Sequence, residues 1–273
     1  MVNAKYLEKW EQGKPVDDWF FKQLMGQEAL CRAFLNEVIP GKNFGKLKIT
    51  TQDETDNGHN KKVIFDILAI DEKANYYNIE MQIVNQHNLL EWSLYYQSMM
   101  ITNMLNPGES YRDLHYSYVI FLCEFDPLEE GDRVITTLER RIVENPTKEL
   151  ADKTRVVFIN MNGDLQNVGG ELRGFIQALK EELPSNSNSQ LGKQLMADFK
   201  ELKGNEKGRN DFMFFTEKEQ KAIEQKRDIK IATLILNDDD LPSKYKIKLL
   251  TDILGDENQA RNLIAQHNKE AVH

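Results

Sequence analysis

Two carboxylates inside one apolar hairpin are the feature of this sequence that most constrains its fold. Two strand-like runs, Val63–Ile70 and Tyr76–Val84, flank a polar turn, Asp71–Asn75. Such runs around a short polar turn are typical of a β-hairpin. Each run carries an acid, Asp66 in the first and Glu80 in the second, and acids are almost never fully buried without a partner. The hairpin is therefore also a candidate site.

The register of the hairpin decides whether the acids meet. If the strands pair symmetrically about Lys73, Asp66 faces Glu80 and Ile64 faces Gln82. Glu80 and Gln82 share a face because side chains alternate along a strand. Cross-strand neighbours lie about 4.5–5.5 Å apart at Cβ, and like charges so placed are destabilising. A divalent cation between them would relieve the repulsion, and removing either acid from the metal-free protein should leave the fold intact and can raise its melting temperature.

A second interpretation of the hairpin stays open on these residues alone. Antiparallel sheets often leave one face in water, and the two acids would then be ordinary surface residues.

A run of three aspartates, Asp238–Asp240, is interpreted as a solvated turn with a helix N-capping role rather than as a metal site.

Composition limits the class of protein. The 273 residues suffice for one large domain, or for a domain with an appendage, and 40% hydrophobic with 29% charged residues is ordinary for a globular protein. No run approaches the roughly 18 apolar residues of a membrane helix, and the polar start lacks a signal-peptide core. Cys31 and Cys123 form no disulfide or zinc pattern. We expect a reduced, cytoplasmic protein without membrane contact.

Net charge and motif searches narrow the chemistry further. A formal net charge of −9 argues against a broad nucleic-acid-binding coat, although it allows a local basic groove beside an acidic metal site. The sequence has no glycine-rich phosphate loop, HExxH, paired CxxC or G-x-S-x-G motif, and its histidines do not cluster. The two hairpin acids are therefore the group of residues to which a chemical mechanism, metal binding, can be assigned.

Periodicity predicts the elements around the hairpin. Helices are predicted over parts of Val16–Ile39, Gln86–Leu105, Glu171–Glu182, Gln190–Lys207 and Glu217–Leu236, and strands over Lys46–Thr51, Ser117–Cys123, Arg133–Ile142 and Arg155–Ile159. Glu28 lies in the first turn of a helix, where it can pair with Arg32 four residues on. Tyr95 and Tyr96 are interpreted as core and rim residues. Ser185–Ser189 is predicted to be a linker or a mobile loop.

Asp66 followed by Glu80-Met81-Gln82 resembles the PD-(D/E)XK nuclease motif in its Asp…Glu-x-Gln form. The flanking segments DDWFFKQLMG, FDILAID, NIEMQ, LYYQSMM, GESYRDLHYSYVIFLCEFDP, VVFINMNGD and GGELRGFIQALK are similar to the PD-(D/E)XK family of recombination-promoting nucleases and putative transposases. The likeness spans about Asp17 to Ile235.

The resemblance implies an α/β fold: a restriction-endonuclease-like core with a mixed β-sheet flanked by helices, and a helical C-terminal region. The implied domains are a nuclease-like domain at residues 1–184 and helices at residues 185–273. In family terms Asp66 and Glu80 bind Mg²⁺, with Mn²⁺ as an alternative. Gln82 occupies the position usually held by lysine, and Glu28 matches the place of an additional acid.

The implied activity is that of a metal-dependent deoxyribonuclease. The chain would be an endonuclease that hydrolyses DNA phosphodiesters during recombination or transposition, with DNA as its partner and a homodimer as an arrangement known from related nucleases. The alternative is a cleavage-impaired protein of the same fold that serves as a DNA- or protein-binding module. Glu91-Trp92 stands where the family usually carries a basic residue.

Overall fold

A computed structural model describes residues 4–55, 63–150, 152–238 and 240–270. The chain divides into two compact units: Glu8–Asn205, and Glu206–His273 together with Met1–Leu7. The described helices are α1 (Ala4–Gln12), α2 (Asp18–Met25), α3 (Glu28–Val38), α4 (Leu89–Thr102), α5 (Gly170–Leu179), α6 (Gln190–Gly204), α7 (Glu206–Leu236), α8 (Ser243–Leu254) and α9 (Glu257–Glu270). The described strands are β1 (Leu47–Thr55), β2 (Val63–Asp71), β3 (Tyr76–Gln82), β4 (Ser117–Cys123), β5 (Ile135–Leu138), β6 (Arg141–Ile142), β7 (Asn145–Glu149) and β8 (Thr154–Asn160).

A mixed sheet organises the first unit. Over the described residues its strand order is β1-β2-β3-β4-β8-β5. β2 pairs antiparallel with both β1 and β3, β4 pairs parallel with both β3 and β8, and β5 pairs antiparallel with β8. Parallel neighbours need a crossover connection, which α4 provides between β3 and β4. The sheet and its flanking helices have the predicted restriction-endonuclease-like α/β architecture.

β4 lies at the centre of the sheet, and all seven of its residues are buried. Its continuous apolar run is typical of a strand covered on both faces, and its bounds match the prediction. α4 packs on one face through Met99 and Met100, which join a core cluster with Val119 and Phe121. This packing against β4 fixes the position of α4, the helix that follows β3 and the candidate site in the chain.

Polar groups hold the turn between β2 and β3. The Tyr77 hydroxyl donates to Asp71 Oδ2 at 2.9 Å and accepts from Lys42 Nζ at 2.8 Å. The backbone N–H and side-chain amide of Asn75 also donate to Asp71. Burial raises the pKa of Asp71, but these hydrogen bonds outweigh it and hold the pKa below its ordinary value. This network fixes the turn end of the hairpin.

Helices α5 and α6 approach closely at two glycines. A Cβ built on Gly174 would lie 2.1 Å from Ser189 Cβ, and one on Gly192 would lie 2.5 Å from the Gly174 carbonyl oxygen. Ser189, the last residue of the predicted linker, is buried and caps α6 by accepting the Gly192 N–H. Its hydroxyl donates to Glu171 on α5. α6 therefore belongs to the compact α/β unit, while the division into domains 1–184 and 185–273 stays a prediction.

Some predicted elements differ from the observed ones. The run Arg133–Ile142 contains two strands, because β6 leaves the sheet to pair with β7. The helix predicted from Glu217 begins at Glu206. The predicted N-capping by Asp238–Asp240 is wrong for the described residues: Pro242 precedes α8, and the Asp238 carboxylate accepts the Asp240 N–H in a turn, while Asp239 lies outside the described residues.

The second unit consists mainly of α7, α8 and α9. Ala232, Leu236, Leu250 and Ala260 form its buried cluster. α8 ends at Gly255, whose φ of 73° is the left-handed conformation that glycine adopts without strain. No described helix combines the length and apolar character needed to cross a membrane.

Candidate active site

The hairpin has the predicted register. Its ladder runs from Ile70 opposite Tyr76 to Ile67 opposite Ile79, which is the symmetric pairing about Lys73. The next opposed pair is Asp66 and Glu80. At this position carboxylate oxygens, instead of backbone carbonyl oxygens, accept hydrogen bonds from the backbone N–H groups. The Asp66 N–H donates to Glu80 Oε1 at 3.1 Å, and the Met81 N–H donates to Asp66 Oδ2 at 3.4 Å. The two carboxylates are thus brought together.

Gln82 lies two residues beyond Glu80, at the end of β3. Its backbone pairs with Cys123 of β4, and its carbonyl accepts the Glu124 N–H. Its side chain is mostly buried, with 9% of the residue exposed. Within the described part of the chain, no side-chain hydrogen bond of Gln82 is formed. Its amide is therefore available to a ligand.

Lys22 is the cation that contacts the acid pair. It extends from α2, and its Nζ lies 2.9 Å from Asp66 Oδ1 and 2.5 Å from Asp18 Oδ1. Only 7% of the residue is exposed. Lys22 was not among the predicted site residues, because a lysine four residues after Asp18 suggests an ordinary surface pair along a helix. The signal that could have found it is its position in the apolar segment Trp19–Met25, where a charge needs a buried partner.

The electrostatics of the pair are those of buried acids. Burial raises the pKa of Glu80 well above its ordinary value, and the charge of Asp66 raises it further. Burial also raises the pKa of Asp66, although Lys22 opposes the shift. For Lys22 itself, burial lowers the pKa but the attraction of Asp66 and Asp18 outweighs it, so the pKa is raised. The ammonium therefore stays charged beside an acid pair that tends to bind protons.

Tyr96 of α4 also adjoins the acids. Burial raises the pKa of its hydroxyl, and the charges of Glu80 and Asp66 raise it further. Its ring packs edge-on against Phe65, with centroids 5.4 Å apart, and stacks on Trp92. Tyr95 and Tyr96 were interpreted together as core and rim residues, and both are partly buried against the core cluster, Tyr96 next to the acid pair.

Glu28 is not brought to the acid pair. It is the first residue of α3, where Oε1 accepts the Leu47 N–H at 3.2 Å and lies 3.0 Å from Arg32 Nε. Leu47 pairs with Asp71, five residues along β2 from Asp66, or about 16 Å at the usual strand rise. The carboxylate of Glu28 ties α3 to β1, and its predicted catalytic role stays a prediction.

The donor set of the acid pair suits a magnesium ion. The described residues hold no group of three or more histidine, cysteine, aspartate or glutamate side chains that could share a metal. Mg²⁺, however, is commonly held by one or two carboxylates, with water and substrate phosphate as its other ligands. Asp66 and Glu80 supply that number, and their mutual repulsion favours a shared cation. The residues present therefore fit a divalent ion.

The protein has a mixed β-sheet flanked by helices, with two acids paired on an antiparallel hairpin. This arrangement is that of a restriction-endonuclease-like, nuclease-type fold. Residues 15–172 match the family model described as PD-(D/E)XK nuclease family transposase. That match covers more than half of the chain, and the chain belongs to this family. No curated protein and no solved structure matches it. Membership supports a function related to nuclease action and transposition.

Proposed function

We propose that this protein is a divalent-metal-dependent DNA endonuclease that acts in recombination or transposition. The observation that carries the proposal is the adjacency of Asp66 and Glu80, whose carboxylates replace the ladder hydrogen bonds at one end of the hairpin. An ordinary sheet gains nothing from two buried like charges at one position. A metal-dependent site for phosphodiester hydrolysis, by contrast, can use such a pair to hold its ion.

Asp66 and Glu80 would hold Mg²⁺, with Mn²⁺ as a substitute. When bound, the ion supplies an acidified water and stabilises negative charge on the phosphate. Gln82 can orient the water or a phosphate oxygen through its amide, which has both donors and acceptors but no charge. Tyr96 and Trp92 shape the rim beside Glu80. The catalytic role of Glu28 stays a prediction, and its carboxylate accepts the Leu47 N–H of β1.

The first experiment measures nicking of supercoiled plasmid in Mg²⁺, in Mn²⁺ and with chelator. We expect metal-dependent cleavage by the unchanged protein and a loss of at least 100-fold in Asp66→Ala and in Glu80→Ala, because neither ligand has a neighbour that replaces it. Glu201→Ala, which removes an exposed carboxylate from α6, is the matched control and should cleave normally. Cleavage that survives in Asp66→Ala would remove this site from the reaction.

The alternative, a DNA- or protein-binding module with impaired cleavage, is favoured by one observation: Gln82 brings no charge to the reacting phosphate. The same preparations decide between the two functions. Retention of labelled DNA in Ca²⁺ without any cleavage in Mg²⁺ or Mn²⁺ would support the binding module. Cleavage that requires Asp66 and Glu80 would support the endonuclease.

A further inference from the structure

We propose that Lys22 is the active-site cation of the cleavage reaction, and that its ammonium binds the phosphate that is cut. This inference rests on the proposed endonuclease function and names the residue that supplies the positive charge. Lys22 comes from α2, outside the hairpin that carries the acids and Gln82.

The contacts of Lys22 leave it able to bind a further oxygen. An ammonium has three N–H donors, and two are directed to Asp18 Oδ1 and Asp66 Oδ1. Within the described residues no third acceptor is present. A phosphate oxygen that approaches Asp66 would therefore meet an N–H that is already charged and held in place. Its immobilisation avoids the reorganisation that a surface lysine would need at the moment of reaction.

The charge balance also requires Lys22. Asp18, Asp66 and Glu80 contribute three negative charges when ionised, and Lys22 removes one. One divalent ion then makes the cluster neutral, so that an anionic DNA backbone can approach it. Without Lys22 the same cluster would stay negative after metal binding and would repel the phosphate, because Coulomb interactions are strong where water is partly excluded.

A purely structural role explains less. A buried ion pair is often no more stabilising than apolar side chains of similar volume, and α2 is otherwise apolar on its buried side, with Phe20, Phe21 and Leu24 fully buried. Lys22 instead directs its charge to the acid that faces Glu80. Gln82, two residues beyond Glu80 on β3, can supply hydrogen bonds without charge. Lys22 therefore supplies the positive charge and Gln82 the hydrogen bonds, which a single lysine at position 82 could supply together.

The test exchanges the two side chains. Lys22→Gln, Gln82→Lys and the double variant Lys22→Gln/Gln82→Lys are compared with the unchanged protein. Kinetics are measured at saturating DNA in Mg²⁺, below every melting temperature. We expect Lys22→Gln to lower kcat by about 100-fold or more, as when one donor to a developing oxyanion is lost, with a smaller effect on KM. Gln82→Lys alone should hold the rate, and the double variant should recover at least 10-fold over Lys22→Gln.

Lys73→Met, at the turn end of the same hairpin, removes an exposed lysine and should leave kcat unchanged. Mn²⁺ affinity is measured by calorimetry, and Lys22→Gln should keep or tighten it, because a competing cation has gone. Loss of Mn²⁺ affinity, an unchanged kcat in folded Lys22→Gln, or no recovery in a folded double variant would each overturn the role of Lys22. If Lys22→Gln does not fold, the double variant alone decides, since it retains one cation.

Failure of the proposed function gives a different result. If the unchanged protein binds DNA but does not cleave it, the endonuclease proposal fails, and DNA affinity in Ca²⁺, read by fluorescence anisotropy, still tests Lys22. A tenfold weaker affinity in Lys22→Gln, restored in the double variant and absent in Lys73→Met, supports phosphate binding by this ammonium. Equal affinities overturn it.

Discussion

Replacing Glu80 by glutamine should stabilise the metal-free protein, whereas replacing Asp66 by asparagine should destabilise it. Both changes remove one charge and preserve the shape of the side chain. A glutamine oxygen can still accept the Asp66 N–H that Glu80 Oε1 accepts. Asparagine at position 66, by contrast, takes from Lys22 one of its two carboxylate partners. The pair of variants therefore separates repulsion between acids from attraction to the lysine.

The expected sizes follow from the contacts. Two unit charges about 5 Å apart repel by roughly 3 kcal/mol at an effective dielectric constant of about 20. Lys22 offsets part of that repulsion, and the burial of Glu80 adds to its cost. We expect Glu80→Gln to gain about 1–3 kcal/mol, which is about 2–12 °C in melting temperature for a unit of this size. Breaking a buried ion pair costs about 3–5 kcal/mol, but Asp18 remains beside Lys22, so Asp66→Asn should lose about 1–3 kcal/mol.

The pH dependence identifies the cause. Glu80 has a folded pKa above its unfolded one, so the cost of ionising it is absent below about pH 4 and grows as the pH rises toward the folded value. The gain from Glu80→Gln should therefore be full above the folded pKa and vanish toward pH 4. For Asp66 we now expect a loss of stability where the sequence alone led us to expect none, because Lys22 is bound to its carboxylate.

Thermal and urea unfolding in chelator, followed by circular dichroism from pH 4 to pH 8, measure both effects. Glu201→Gln on α6 is the control for removing one exposed charge. A lower melting temperature of Glu80→Gln at neutral pH, or an equal gain at pH 4, would refute the reasoning about Glu80. A higher melting temperature of Asp66→Asn would show that Lys22 does not depend on Asp66.

Two further predictions concern the supports of the site. Tyr77→Phe should destabilise the protein by about 1–3 kcal/mol in urea titrations, because the buried hydroxyl joins Lys42 to Asp71 and its loss leaves both charges short of a partner; an unchanged midpoint would show that the turn does not need it. Gly174→Ala should lower stability by about 1–3 kcal/mol or more in the same assay, because its Cβ would overlap Ser189, and Gly170→Ala, with open space around it, is the control that should change little.

The hairpin could be predicted because its signals agree with one another. The turn Asp71–Asn75, the apolar runs and the period of two specify one register, and a slip by one residue would exchange the faces of the strands. β4 was equally clear, since a short apolar run bounded by polar segments is typical of a buried strand. Asp66 and Glu80 could therefore be placed opposite each other from the sequence.

Other features depend on contacts between distant segments. The apolar neighbours of Lys22 indicate that its charge needs a partner but do not identify that partner, because its contact with Asp66 joins residues 44 positions apart. The strand β7 carries no apolar alternation and, including Pro146, is exposed throughout, so propensity did not reveal it. β6 lies within the predicted run Arg133–Ile142, but its pairing with β7 could not be foreseen. Glu28 fitted both a pairing with Arg32 and a catalytic interpretation by sequence, and its observed contacts with Arg32 and with Leu47 of β1 depend on how α3 packs.

The hydrogen bonds between Asp66 and Glu80 also provide a spectroscopic handle. The amide protons of Asp66 and Met81 are held by carboxylates rather than by carbonyl oxygens. Any ligand that draws those carboxylates toward itself loosens these two amides, while the ladder from Ile67 to Ile70 keeps its protection. Amide exchange rates and proton chemical shifts at positions 66 and 81 would therefore report occupancy of the acid pair directly, in the absence of any turnover.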